Sequence, residues 1–420
     1  MDIKYIFIEG LFGQFNHKIT LADNVTIIIG DNGVGKTVTL RLIESIFSNR
    51  LAYLFDVEFS KITISFGKEI WQIATKKTYN KESADYPKDD KSLIISSNLN
   101  GEHEVLSKDT IIAIPSYILK MSDNEWYDKR RGIVFTEREL IDRLGVQSLS
   151  DITKNLPEWY TKRVQKNRVR LIDTQRIYHQ EVNGRYPELG RMVDKFSNDI
   201  VNIVGEYRKK ADKVENELDK TYPIRLVQRL SSNEEESLKA VQEKLKDLID
   251  IQSELQQVGL VDYKQDSVMK AIGNDINQPI IKALSLYAED RVKKLQPYKA
   301  IMPSLKLFLD IINARFQYKK CRLDPSKGFI VYHDKKEIPL SRLSSGEQNE
   351  FVMFYDLLFN CGETDLILID EPELSLHLKW QQMIIGDLLS ICEQNNLSVL
   401  MATHSPDLIG NHWSMVQKLK

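Results

Sequence analysis

Residues suited to phosphate chemistry stand in one short run, Gly30-Asp31-Asn32-Gly33-Val34-Gly35-Lys36-Thr37. The pattern is G-x-x-x-x-G-K-[ST], a glycine-rich loop whose backbone N–H groups cradle a polyphosphate. The main chain of Asn32, Gly33, Val34 and Gly35 would face the phosphates. Lys36 would reach the β- and γ-phosphates, and the Thr37 hydroxyl would hold Mg²⁺.

Three more groups lie near the C-terminal end. Asp370 and Glu371 close the run Leu366-Ile367-Leu368-Ile369. Adjacent carboxylates repel, which raises one pKa and invites a cation. Asp370 suits Mg²⁺, and Glu371 suits polarising an attacking water. His404 follows Val399-Leu400-Met401-Ala402-Thr403 and could hydrogen-bond a γ-phosphate. Leu343-Ser344-Ser345-Gly346-Glu347-Gln348 opens a helix, and fits either a simple cap or an anion site at a helix N-terminus. Gln175, after Val169-Arg170-Leu171-Ile172-Asp173-Thr174, is either a Mg²⁺ and water sensor or a solvated strand end.

These groups need a scaffold of strands. Val25-Thr26-Ile27-Ile28-Ile29, Leu366–Ile369 and Val399–Ala402 are continuous apolar runs, as buried parallel strands require. Leu40, Ile43 and Phe47 share one face of the helix that starts at the phosphate loop. Short strands at 4–10 and 17–21, alternation over 58–66, and hairpin signals at Gly67-Lys68 and Asn100-Gly101 predict an antiparallel sheet beside it.

The middle of the chain is charged and helix-rich. The spacing predicts helices over 117–131 and 196–218. Leu238, Val241, Leu245, Leu248 and Leu255 form a stripe that fits a short coiled-coil hairpin or an ordinary core-facing helix. Lys162, Arg163, Lys166, Arg168, Arg170 and Arg176 are either a solvated surface or contacts for nucleic-acid phosphates. Further on, 305–316 reads as a helix, and 328–332 with 336–340 as a strand pair.

Composition bounds the class. The 420 residues carry 58 Lys and Arg against 60 Asp and Glu, so net charge decides nothing about nucleic acid. Cys321, Cys361 and Cys392 are isolated, which argues against a zinc or disulfide framework and fits a cytoplasmic protein. The first residues lack the apolar core of a signal peptide, and no run of 18 apolar residues occurs.

Taken in order, phosphate loop, L-S-S-G-E-Q, L-I-L-I-D-E-P-E and A-T-H-S-P resemble the ATP-binding-cassette ATPase head of the SMC/RecF/OLD group. The likeness covers about 1–110 and 304–412, and within the group it is nearest to ATPase subunits of the PARIS, Septu and retron-associated defence systems. It implies an α/β fold: a P-loop head of mixed sheet and helices, an antiparallel β subdomain and a large, mostly helical insert. The implied division is 1–114 for the N-terminal lobe, 115–303 for the insert and 304–420 for the C-terminal lobe, with the strand near 169–175 returning to the head. It also implies heads that dimerise around ATP and Mg²⁺. Lys36, Thr37, Asp370, Glu371 and His404 of one chain would then face Ser344, Ser345, Gly346 and Glu347 of the other. Ser375-Leu376-His377 resembles the loop that crosses such an interface, and Gln175 the Mg²⁺-sensing glutamine. Ser345 departs from the transporter form L-S-G-G-Q.

The functional expectation is a slow, partner-regulated ATPase. It would act as sensor and scaffold for a separate effector in antiviral defence, triggered by a phage protein or DNA. OLD nucleases and Gabija ATPases continue past the histidine into a Toprim domain, whereas this sequence ends at Lys420. A Toprim or HNH nuclease is therefore expected on another chain. The alternatives are a RecF-like repair ATPase that binds DNA, and an ATP-binding scaffold with little turnover. No membrane partner is expected.

Overall fold

The computed structural model describes residues 2–48, 50–79, 89–99, 103–107, 118–121, 125–136, 156–173, 176–181, 188–261, 276–362, 365–374 and 376–420. They fall into two compact units. One gathers Met1–Arg176, Val182–Glu188 and Phe359–Lys420, the other Ile177–Glu181 and Leu189–Leu358.

The first unit begins with β1 (Tyr5–Leu11), β2 (Phe15–Thr20) and β3 (Val25–Ile29). Then come α1 (Lys36–Phe47), the one-turn α2 (Tyr53–Asp56), and strands β4 (Lys61–Phe66), β5 (Glu69–Tyr79), β6 (Asp89–Ser97) and β7 (His103–Ser107). Six of the strands form an antiparallel sheet in the order β2-β1-β4-β5-β6-β7. Its register puts Ile6 opposite Ile64, Ile64 opposite Trp71, and Ile73 opposite Ile95, all fully buried. Period-2 alternation thus gives the sheet one apolar face, as the sequence pattern requires. The Asn100-Gly101 turn lies outside the described residues.

The predicted helix over 117–131 is not formed. Strands β8 (Ile118–Lys120), β9 (Glu125–Asp128) and β10 (Ile133–Thr136) make a small antiparallel sheet instead. The reason is local turn chemistry. The Asp128 carboxylate accepts from the backbone N–H of Arg130 and Arg131, and Gly132 takes φ 65°. An Asx turn followed by a left-handed glycine reverses the chain where a helix would continue. Next come α3 (Glu158–Lys166) and β11 (Val169–Ile172). The fully buried Tyr160 of α3 stacks on Trp71 at 5.0 Å and donates to the Ile46 carbonyl at 2.5 Å.

The second unit holds the two-stranded β12 (Tyr178–Glu181) and β13 (Glu188–Arg191), then α4 (Met192–Ser231), α5 (Leu238–Gln257), α6 (Gln278–Leu295) and α7 (Met302–Arg315). Helix α4 runs for 40 residues, past the expected end at 218 and through Pro223. Pro223 removes a backbone donor. Nearby, Arg225 and Thr221 side chains donate to the Leu218 carbonyl, at 2.8 and 3.2 Å. Val241 and Leu245 of the predicted stripe pack with Ile281 and Ala288, so α5 turns this face onto α6. A lattice of charge ties α6 to α4: Arg225 grips Asp290 through both nitrogens, and Arg229 reaches Glu289. The unit closes with β14 (Lys319–Asp324), β15 (Gly328–His333), β16 (Lys336–Ile338) and α8 (Ser345–Tyr355).

The chain re-enters the first unit with β17 (Leu366–Asp370), α9 (Leu378–Asn395), β18 (Ser398–Ala402), the one-turn α10 (Pro406–Ile409) and β19 (Val416–Lys418). These strands complete a five-stranded sheet, β11-β17-β18-β3-β19, parallel at every pairing. Strands β17 and β18 are buried along their whole length. That burial explains why their sequences are continuous apolar runs.

Candidate functional site

Strand order builds the site. β17, β18 and β3 are neighbours and all parallel, so their carboxyl ends share one edge of the sheet. That edge is where open α/β sheets place ligands. The residues just past those ends are Asp370 and Glu371, Thr403 and His404, and the glycine loop.

The loop needs its glycines. Gly33 and Gly35 take φ 86° and 90°, a region costly for any residue with a Cβ. A Cβ on Gly35 would fall 2.8 Å from Leu11 Cδ2 and 3.0 Å from Phe12 Cε2. Gly35 caps α1, and no acidic side chain sits in the first turn. The free N–H groups and the helix dipole are thus left for an anion. Lys36 Nζ is folded back onto the loop, donating to the carbonyls of Gly30 at 2.9 Å and Asp31 at 3.2 Å. Burial pulls its pKa down, while Glu371 and Asp370 pull it up.

The structure brings Thr37 and Asp370 together: the threonine hydroxyl donates to Asp370 Oδ1 at 3.2 Å. Burial lifts the Asp370 carboxyl above the ordinary range, against the Thr37 hydrogen bond, and Glu371 adds to the lift. A hydroxyl paired with a buried, reluctantly ionised carboxylate suits Mg²⁺ that arrives with its nucleotide, since this ion keeps most of its own waters. Among the described residues no group of three or more His, Cys, Asp or Glu forms a ready-made metal cage.

Glu371 and His404 lie side by side, with His404 Nε2 at 3.5 Å from Glu371 Oε1. The other ring nitrogen, Nδ1, is 3.4 Å from Lys36 Nζ. One imidazole therefore spans the loop lysine and the strand-end carboxylate. Glu371 holds a positive φ of 42°, and its N–H donates to the Ala402 carbonyl at 2.9 Å. A non-glycine residue in this region is strained, and strain of this kind gathers at functional sites.

A family described as AAA ATPase domain matches residues 1–409. The chain belongs to this family.

The chain is 31% identical over 129 residues to the retron Vc95 probable ATPase of Vibrio cholerae serotype O1 biovar El Tor, 28% of this chain and 24% of that protein. It is 32% identical over 85 residues to a probable iron chelatin transport ATP-binding protein of Helicobacter pylori, 20% of this chain and 32% of that one. The chain thus spans about a quarter to a third of the length of these curated relatives. Two solved SMC head structures overlay on it. One is an SmcHead bound to the C-winged helix domain of ScpA: TM-score 0.39, 13% identity, 98% of this chain and 92% of that chain covered. The other, from Pyrococcus furiosus, carries an extended coiled coil and the C-terminal domain of ScpA: TM-score 0.36, 14% identity, 97% and 91% covered. No described helix of the chain is long and apolar enough to cross a membrane.

The remaining expected site residues divide. Ser344 caps α8 in the second unit: its Oγ accepts from Glu347 N–H at 3.3 Å, and Glu347 Oε2 accepts from Ser344 N–H at 2.8 Å. Lys319 Nζ neutralises Glu347 at 2.7 Å. Ser344 and Ser345 remain exposed, whereas Gly346 and Glu347 are buried. Gln175 and Ser375 lie outside the described residues. Three of the six residues of the basic run are paired with acids of their own unit. Lys162 pairs with Glu158, Arg163 with Asp2 and Glu69, and Lys166 with Asp2.

One residue of the site went unread in the sequence. Glu373 Oε1 accepts from Thr403 Oγ1 at 2.6 Å and from His404 N–H at 2.9 Å. It holds the backbone that presents the histidine. The signal was its place in Asp370-Glu371-Pro372-Glu373, on the turn beside β18.

Proposed function

We propose that this ATPase hydrolyses ATP to ADP and phosphate between paired heads and, through that cycle, controls a separate effector protein in antiviral defence. The single observation that carries the reading is the contact of His404 with both Glu371 and Lys36 on the edge where Thr37 meets Asp370. Mg²⁺ brought by the nucleotide supplies charge neutralisation at the transferring phosphoryl group. Lys36 leaves its two carbonyls for the phosphates. Glu371 orients and polarises the attacking water. His404, fixed at its backbone by Glu373, senses whether the terminal phosphate is present. The exposed Ser344 and Ser345, with the α8 N-terminus behind them, would complete the site from the partner head. The retron relative supports the defence setting, and the short shared length leaves the effector to experiment.

Light scattering on the purified chain with ATP and Mg²⁺, with and without the product of the adjacent gene, tests this. A doubled mass with ATP and a co-complex of fixed stoichiometry are expected. A monomer under all conditions that binds no neighbour-encoded protein would sink the proposal.

A further inference from the structure

We propose that the β14–β15 hairpin of the second unit carries a binding site for single-stranded nucleic acid, distinct from the basic run at 162–176. The hairpin lines a cavity of about 620 Å³ with Gln317, Tyr318, Lys319, Lys320, Arg322, Tyr332, Asp334 and Lys335. Strand alternation creates it. Cys321 and Leu323 point into the core, 2% and 6% exposed, so Lys320 and Arg322 share the outer face with Tyr318, which precedes the strand. Tyr332 on β15 stands directly opposite Lys320. The Arg322 guanidinium lies 5.9 Å from the Tyr332 ring.

Charge and shape select the occupant. Four of the eight lining residues are cationic and one, Asp334, is acidic. Lys319 is already engaged by Glu347. Lys320, Arg322 and Lys335 have no ion pair among the described residues. On the neighbouring β16, Glu337 lies opposite Tyr332 but is drawn toward Lys327 at 4.0 Å. A concave face of unpaired cations fits a phosphate backbone. The two tyrosines add the second criterion. Tyr318 is 77% exposed, an unusual cost for a large aromatic side chain unless something stacks on it. Basic side chains interleaved with aromatic rings on a sheet face are the means by which unpaired bases are stacked while their phosphates are held. A duplex hides its base faces, so the tyrosines favour a single strand.

The test is fluorescence anisotropy of a labelled oligothymidylate with the full chain, without ATP so that no nucleotide-driven pairing of heads contributes. Binding should weaken with salt, with a log–log slope near about −2 for three phosphate contacts on a single strand. Lys320→Ala/Arg322→Ala/Lys335→Ala should lose at least about tenfold in affinity and flatten that slope, and Tyr318→Ala should lose about tenfold with the slope unchanged. These are exposed side chains, so melting temperatures should match wild type, which separates a lost site from a lost fold. Equal affinity for a duplex of the same length, displacement by free thymidine triphosphate at equal phosphate concentration, or variants that bind as wild type would each overturn the proposal.

Discussion

Thr37 Oγ1 and Asp370 Oδ1 lie 3.2 Å apart although 333 residues separate them in the chain. The contact exists because β3 and β17 flank β18 in one parallel sheet. Asp370 is therefore a buried carboxyl held beside a hydroxyl. Its carboxyl is raised by burial first, with Glu371 adding to it. The folded protein then holds its proton more tightly than the unfolded chain does. Stability without metal should fall as pH climbs from the ordinary carboxylate value through the raised one. Asp370→Asn should abolish turnover, yet raise the metal-free melting temperature at neutral pH by about 2 °C. The gap should close in acid. Thermal melts across pH decide it, and equal melting temperatures at neutral pH would count against a buried, costly charge.

Glu371→Gln keeps the size of the side chain and removes its basicity. Turnover should drop by about 100-fold or more, the scale of a lost general base. ATP should stay bound and the paired state should persist. A phosphate-release assay beside size-exclusion chromatography reads both, and wild-type turnover would refute the assigned role.

Lys36→Ala removes the side chain that bridges the Gly30 and Asp31 carbonyls, and should abolish ATP binding. Ser344→Arg blocks the exposed start of α8. Each variant alone should be inactive. Mixed, they should regain partial turnover, because one intact composite site forms from two different chains. No recovery at any ratio would mean that sites are not shared.

Arg315 and Glu350 form an ion pair at 2.8 Å with side chains 0% and 1% exposed. Arg315 also lies 4.8 Å from the Phe354 ring. Removing one partner strands a charge in the core. Arg315→Ala should cost about 3–5 kcal/mol in urea unfolding, and Arg315→Met with Glu350→Leu should cost less than the single change. If the double variant is the weaker, the pair itself is stabilising.

The site was more legible in the sequence than the scaffold around it. β3, β17 and β18 are buried on both faces, so each reads as an apolar run ending in a chemical group. The α8 cap was visible because Ser344 and Glu347 stand at capping-box spacing. Local patterns failed where side chains settled the matter. The stretch 117–131 folds into strands because Asp128 captures two backbone N–H groups. Helix α4 passes Pro223 while Arg225 and Thr221 occupy a carbonyl close by. β14 was overlooked because Lys319, Lys320 and Arg322 disguise a strand whose apolar face is only Cys321 and Leu323. Strand β19 was missed because it has three residues and owes its place to pairing with β3. Glu373 escaped because its partners, Thr403 and His404, are distant in sequence.

Gly33 and Gly35 of the site also take positive φ, but Glu371 does so at 42° with a Cβ. Glycine there would relieve about 1 kcal/mol of strain, so Glu371→Gly should melt no lower than wild type while losing turnover. Selection for durability and selection for turnover thus pull in opposite directions at one codon. A cell's proteases recognise unfolded chains and would not remove such a copy. If heads pair as proposed, the defect would accumulate as a sound-looking protein that enters pairs with normal chains and leaves each mixed pair with one working site.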